Sequence, residues 1–216
     1  MQDHHTIAPG ESHEEFWDGR YGVSERIWSG EPNTVLVRET TGLPPGRALD
    51  LGCGEGADAV WLAERGWHVT ATDISRVALG RAARHAADAG VADRIDWQWH
   101  DLTATFPTGG FDLVSAHFLH SPSEEFPRER ILRAAAASVA PGGTLLIVGH
   151  AGFPSWDPNP PNVHLPTPEE VLASLELPEG QWEVLLNAEH ERLQTAPDGE
   201  QVTRTDNALK LRRSRA

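Results

Sequence analysis

The chain has 216 residues, a formal charge of −14 and one cysteine. That length suits a single α/β domain with small decorations, which buries roughly 70% of its unfolded surface without staples. The acidic balance argues against a nucleic-acid partner, since phosphate binding needs a basic face, and one cysteine excludes an internal disulfide, in keeping with a reducing, cytoplasmic setting.

The opening Met-Gln-Asp-His-His has neither a basic nor an apolar leader region, so no signal peptide is expected. No apolar run approaches the roughly 18 residues of a membrane span, so no membrane partner is expected either. Pro9-Gly10 and little apolar content predict a mobile lead-in over residues 1–10. Ser12 with Glu15 forms a capping-box pattern that starts a helix carrying Phe16, Trp17, Arg20 and Tyr21. A turn at Ile27-Trp28-Ser29-Gly30-Glu31-Pro32-Asn33 leads to a second helix ending near Thr40.

From Arg47 strands and helices alternate, which reads as a parallel sheet. Strands are predicted at 48–51, 68–71, 95–99, 112–116 and 144–148, with helices over 57–65, 75–88 and 124–139 between them. Pro141-Gly142-Gly143 reads as a sharp turn, 153–166 as a proline-rich loop, and Pro168 as the start of a short helix. Further strands fall at 182–188 and 201–211. No helix is legible between them, so a hairpin is expected, making the last strand antiparallel. The domain reading is a helical prelude, 1–46, on a domain over 47–216.

Ala48-Leu49-Asp50-Leu51-Gly52-Cys53-Gly54-Glu55-Gly56 is a strand running into a loop of alternating glycines, followed by a helical pattern. Glycine is required where the backbone takes positive φ or where a ligand approaches too closely for a Cβ, and the amides opening the next helix face that ligand. Two ligand classes remain open. Gly52-x-Gly54-x-x-Ala57 with Asp73 satisfies a dinucleotide fingerprint and a nicotinamide-dependent oxidoreductase. Gly52-x-Gly54-x-Gly56 satisfies the nucleoside class equally. A non-catalytic cofactor-binding protein is a third reading. Three acids at strand ends, Asp50, Asp73 and Asp101, favour a ligand with a ribose, an adenine and a cationic amino-acid part, because strand C-termini of an open sheet share one crevice. Ile74 is placed to pack on a purine. Cys53 reads as a small buried side chain, with no activating partner nearby.

At these residues, together with Val69–Ser75, Trp99–Leu102, Phe111–Val114 and the stretch 132–145, the chain resembles the class I methyltransferases that use S-adenosylmethionine. The resemblance implies a Rossmann-like three-layer α/β/α sandwich, with a seven-stranded mostly parallel sheet and an antiparallel last strand. It implies Gly52, Gly54 and Gly56 against the methionine moiety, with Asp50 and Cys53 beside them. Asp73 would hold the ribose, Ile74 the adenine face and Asp101 the adenine amine, with Leu102 and Ala116 completing the pocket. S-adenosylhomocysteine would be the product. The prelude is most similar to the tellurite- and thiopurine-type branch, which implies that Trp28, with Trp17, Arg20 and Tyr21, closes over the cofactor. An aromatic face attracts a sulfonium within about 6 Å.

His117, His120 and His150 follow strands at their C-terminal ends and are the candidate bases, since a histidine near neutral pKa can deprotonate an S, O or N acceptor. His164 in the proline loop is a candidate to join them. Their spacing matches no short metal motif and no acid partners them locally, so no metal is expected. The chain lacks the Asn/Asp-Pro-Pro-Tyr motif of base and amide methylation, which points to a small-molecule acceptor. The aromatic proline loop is expected to close over it. A monomer or homodimer is expected.

Overall fold

A computed structural model describes residues 7–8, 10–123, 125–154, 156, 164–196 and 198–215. The lead-in over 1–10 and the closing proline loop fall largely outside those residues.

Helix α1 (His13–Gly22) starts at the predicted capping box, with the Ser12 hydroxyl accepting from the Glu15 amide. Helix α2 (Thr34–Thr40) follows. Then come β1 (Arg47–Leu51), α3 (Ala57–Glu64), β2 (His68–Asp73), α4 (Arg76–Asp88), β3 (Ile95–Trp99), β4 (Phe111–His117), α5 (Arg128–Ser138), β5 (Val139–His150), α6 (Pro168–Ser174), β6 (Trp182–Thr195) and β7 (Gln201–Arg213). The seven strands form one sheet in the order β3-β2-β1-β4-β5-β7-β6. β1 to β5 pair in parallel, and β7 runs antiparallel to both β5 and β6, as the hairpin reading requires.

Both faces of the sheet are covered, which is why its central strands are nearly continuous apolar runs. One face packs Ala48, Val69, Ala71, Leu113 and Leu146 beneath α3. The other packs Leu49, Leu51, Val114, Leu145 and Ile147 against α5 and α6. Alternation along β1 therefore sends Leu49 and Leu51 to the α5 face and leaves Asp50 with Ala48 on the α3 face.

Three boundaries differ from the sequence reading. α5 begins at Arg128 rather than 124, because Pro127 disfavours helical backbone at the residue before it. β5 begins at Val139: Pro141-Gly142-Gly143 is not a turn between elements but an irregularity, where pairing steps from Phe111↔Val139 to Leu113↔Thr144. Gly143 is needed there, since a Cβ would lie 2.9 Å from the carbonyl oxygens of Ala140 and Phe111. β6 extends to Thr195, with exposed Glu189, Glu191 and Leu193 alternating with half-buried His190, Arg192 and Gln194. No helix among the described residues is long and apolar enough to cross a membrane.

Candidate active site

The loop after β1 takes positive φ at Gly52 (+72°), Gly54 (+53°) and Gly56 (+85°). The Gly52 and Cys53 amides both donate to the Thr72 carbonyl at 2.9 Å, tying the loop to β2. Asp73 finishes the tie: one carboxylate oxygen accepts from the Gly54 amide at 2.8 Å, the other from Ser75 at 2.9 Å. Burial pushes its pKa up, opposed by those backbone donors. Each oxygen keeps a second lone pair for a ligand hydroxyl. Gly56 does not face the crevice. A Cβ there would meet Trp97 at 2.7 Å and Ala82 at 2.8 Å, so close packing of α3 and α4 on the sheet explains it. Burial pushes the Cys53 thiol well up, which makes it unreactive.

Beyond β2 and β3 lies a cleft of about 220 Å³ lined by Ile74, Trp99, Asp101 and Thr103 on one side and by Ser12, His13 and Glu14 of the prelude on the other. Asp101 accepts from the Thr103 amide through one oxygen at 2.9 Å. Leu102 and Ala116 instead pack into the α5-face core, away from this cleft.

The prelude covers the loop from the opposite side. Trp28 donates from its indole to the buried Tyr21 phenol at 3.2 Å. Burial and the nearby Asp73 push that phenol up, so it stays protonated. The Arg20 guanidinium lies 5.8 Å from the Trp17 ring and 5.9 Å from the Trp28 ring. Acids that sequence reasoning did not single out fasten this cover. Glu55 accepts from the Ile27 and Trp28 amides, each at 3.1 Å, and pairs with Arg81 at 2.9 Å. Asp18 accepts from the Ser75 hydroxyl at 2.6 Å and the Val77 amide at 3.1 Å. Asp58 accepts from both the backbone and side-chain nitrogens of Asn33, at 2.7 and 2.8 Å. In the sequence each reads as a solvated acid or a first-turn residue that favours the helix dipole.

Under the loop, Asp50 is 2% exposed. One oxygen is reached only by the Ser115 hydroxyl at 3.4 Å and the other has no partner among the described residues. Burial, then the Asp58 charge, pushes it up to about 7. These features fit S-adenosylmethionine: an orphaned carboxylate beside a glycine loop suits a cationic group, a cleft floored by Ile74 and Asp101 suits a purine, and Arg20 suits a carboxylate.

The three histidines do not form one cluster. His117 turns to the α3 face and is buried, its Nδ1 2.8 Å from Asp58. Strand alternation puts it on the Ser115 side of β4, where Asp58 takes up its Nδ1, so it leaves the set of candidate bases. His120 and His150 do converge, with ring centroids 5.9 Å apart. His150 bonds through Nδ1 to Asp206 at 2.9 Å, and Arg192 holds the other oxygen of that carboxylate. His120 bonds through Nδ1 to the Phe118 carbonyl. Acceptors at both Nδ1 atoms assign the proton there and leave each Nε2 as a bare base. Burial lowers both, with Asp206 opposing at His150; His120, crowded by rings and cations yet keeping an exposed edge, falls to about 4. Phe118, at φ +52°, stacks on His150 at 4.4 Å. His164 stands apart, pairing with Glu170 at 2.8 Å beside the α6 cap. Among the described residues no three of His, Cys, Asp and Glu converge to hold an ion.

Arg192 and Arg204 sit directly opposite each other across β6 and β7. Like charges in that register destabilise a sheet, and among the described residues Asp206 is the one carboxylate that offsets them. The Arg204 Nε is buried without a partner among the described residues. Arg128, whose Nε donates to the Leu119 carbonyl at 3.0 Å, adds a further cation.

The methyltransferase domain family matches residues 48–143. The chain is similar to thiocyanate methyltransferase 1 of Arabidopsis thaliana, 31% identical over 149 residues that cover 67% of this chain and 63% of that one. It is also similar to ribosomal RNA small subunit methyltransferase C of Chromohalobacter salexigens, 33% identical over 115 residues, 51% of this chain and 34% of that one. The chain thus spans about a third to three-fifths of the length of the curated relatives it matches. Among solved structures, one described as converting a disulfide bond into a thioacetal group during echinomycin biosynthesis superposes with a TM-score of 0.69 at 24% identity, covering 94% of this chain and 93% of that one, a likeness of fold.

Proposed function

We infer that this chain, which belongs to the methyltransferases through its domain at residues 48–143, carries a methyl group from S-adenosylmethionine to a small acceptor bearing negative charge. The observation that carries the acceptor half is the facing pair Arg192 and Arg204. In a chain of net charge −14, a like-charge pair with one shared carboxylate marks a place for an anion.

When bound, the cofactor supplies an electrophilic methyl on a sulfonium. The chain's own part is to orient and to exclude water. Asp73, Ile74 and Asp101 hold the nucleoside end. The Gly52–Gly54 backbone with Asp50 and Arg20 takes the amino-acid end, and Tyr21 and Trp28 cover it. His120 or His150 accepts a proton at Nε2 from an acceptor that arrives protonated, while an acceptor already ionised needs only placement. A reducing, cytoplasmic location and a monomer or homodimer complete the reading, the location being supported by the unpaired and unreactive Cys53.

The test is transfer of radiolabelled methyl to thiocyanate, 3-mercaptopropionate, 2-mercaptoethanol, a catechol and a primary amine. Turnover concentrated on the first two supports the reading. Equal turnover on the uncharged thiol removes the anionic acceptor, and no transfer alongside calorimetric failure to bind S-adenosylhomocysteine removes the methyltransferase.

A further inference from the structure

Asp58 touches both walls of the crevice. From the first turn of α3 it accepts at 2.7 and 2.8 Å from Asn33, in the prelude, and at 2.8 Å from His117, at the end of β4. Asn33 stands at the N-cap of α2, yet its side chain makes no cap bond there; it is turned to Asp58 instead. That choice gives up a local cap on the helix. His117 is followed at once by Phe118, whose positive φ starts the segment that stacks on His150 and carries His120. Five residues before Asn33 stands Trp28, which covers Gly54. Asn33 and His117 are joined through this one carboxylate, and hydrogen bonds from both hold its pKa down and keep it ionised.

We propose that Asp58 is a positioning residue that couples the prelude cover to the segment 117–121, so that ordering one wall of the crevice orders the other. It rests on the reading of 117–121 as the acceptor wall only for its meaning in catalysis; the coupling is a property of the chain without cofactor or acceptor. Coupling of this kind is reciprocal by thermodynamic necessity.

The test is amide hydrogen exchange on the full chain, which needs no substrate and so fails independently of the methyl-transfer reading. Asn33→Ala is expected to speed exchange across residues 118–123 by about fivefold, the equivalent of one hydrogen bond, with β1 and β4 unchanged. His117→Gln is expected to speed exchange across 27–33 in the same way. In an Asp58→Asn background both effects vanish. If either substitution leaves the opposite wall unchanged, or if the remote effect persists in the Asp58→Asn chain, the proposal is overturned. A rise shared by the β1 and β4 core amides overturns it too, since that is global loosening. The reciprocal pair keeps the test alive should one variant fail to fold.

Discussion

The indole of Trp28 hydrogen-bonds the Tyr21 phenol at 3.2 Å directly over Gly54, where an added Cβ would stand 2.8 Å from the phenol oxygen and 3.5 Å from the indole nitrogen. The cover and the loop are in contact, and the glycine is what lets them meet.

Gly54→Ala therefore strains a backbone at φ +53° and pushes the phenol away. The left-handed conformation alone costs roughly 1–2 kcal/mol for a side chain with a Cβ. Calorimetry is expected to show S-adenosylhomocysteine binding weakened by at least about tenfold, with a lower Tm. Gly56→Ala is expected to lower Tm more than it lowers affinity, because its neighbours are Trp97 and Ala82.

Asp50→Asn separates stability from binding. The folded pKa of Asp50 is raised from 3.8 to about 7, so between those values the folded state holds a proton that the unfolded state has lost. Its contribution to stability consequently falls as pH rises through that window, and the cost is complete above pH 7. The amide removes it. Thermal melts are expected to show the variant more stable than the parent at pH 8, by about 2–4 °C for each kcal/mol recovered, with the gain fading toward pH 4. Affinity for S-adenosylhomocysteine is expected to fall at every pH.

The histidines carry the opposite sign. His120 and His150 have folded pKa values below their ordinary one, so they bind fewer protons folded than unfolded. Stability that is complete above about pH 6.5 is then lost as pH falls toward 4. His150→Gln is expected to flatten the acid limb of Tm against pH. His120→Gln should do so less, because solvent at its exposed edge screens the effect.

Arg204→Gln removes one of two facing cations. The Tm is expected to hold or rise slightly, since a like-charge pair is relieved. S-adenosylhomocysteine affinity should stay the same, while kcat/KM for an anionic thiol falls about tenfold or more, the cost of losing one charged partner. A matching loss on the uncharged thiol would show that Arg204 acts on the fold rather than on the acceptor.

The glycine loop, the acids at the strand ends and the reversed β7 were all legible in the chain, because each is local: alternating glycines, an apolar run ending in Asp, a hairpin too short for a crossover. What escaped is non-local. Glu55 lies inside the glycine motif and looks like filler, yet it anchors Trp28 from 27 residues away. Asp58 reads as a dipole-favouring first-turn acid, and nothing near it in sequence announces His117, 59 residues on. His117 looked equivalent to His120 because both follow an apolar run; but His117 is the last residue of β4 and is taken up by Asp58, while the chain turns at Phe118 before it reaches His120. The facing of Arg192 and Arg204 depends on a hairpin register that the charged residues of β6 concealed.

β7 lies between β5 and β6, so the apolar run Leu145–Val148 of β5 has no neighbour on that side until residues 201–213 arrive. During synthesis the half-built sheet thus presents an open hydrogen-bonding edge flanked by exposed core side chains, a template for association with other nascent chains. Substitutions that weaken β7 should accordingly show first as lost soluble yield rather than as altered turnover.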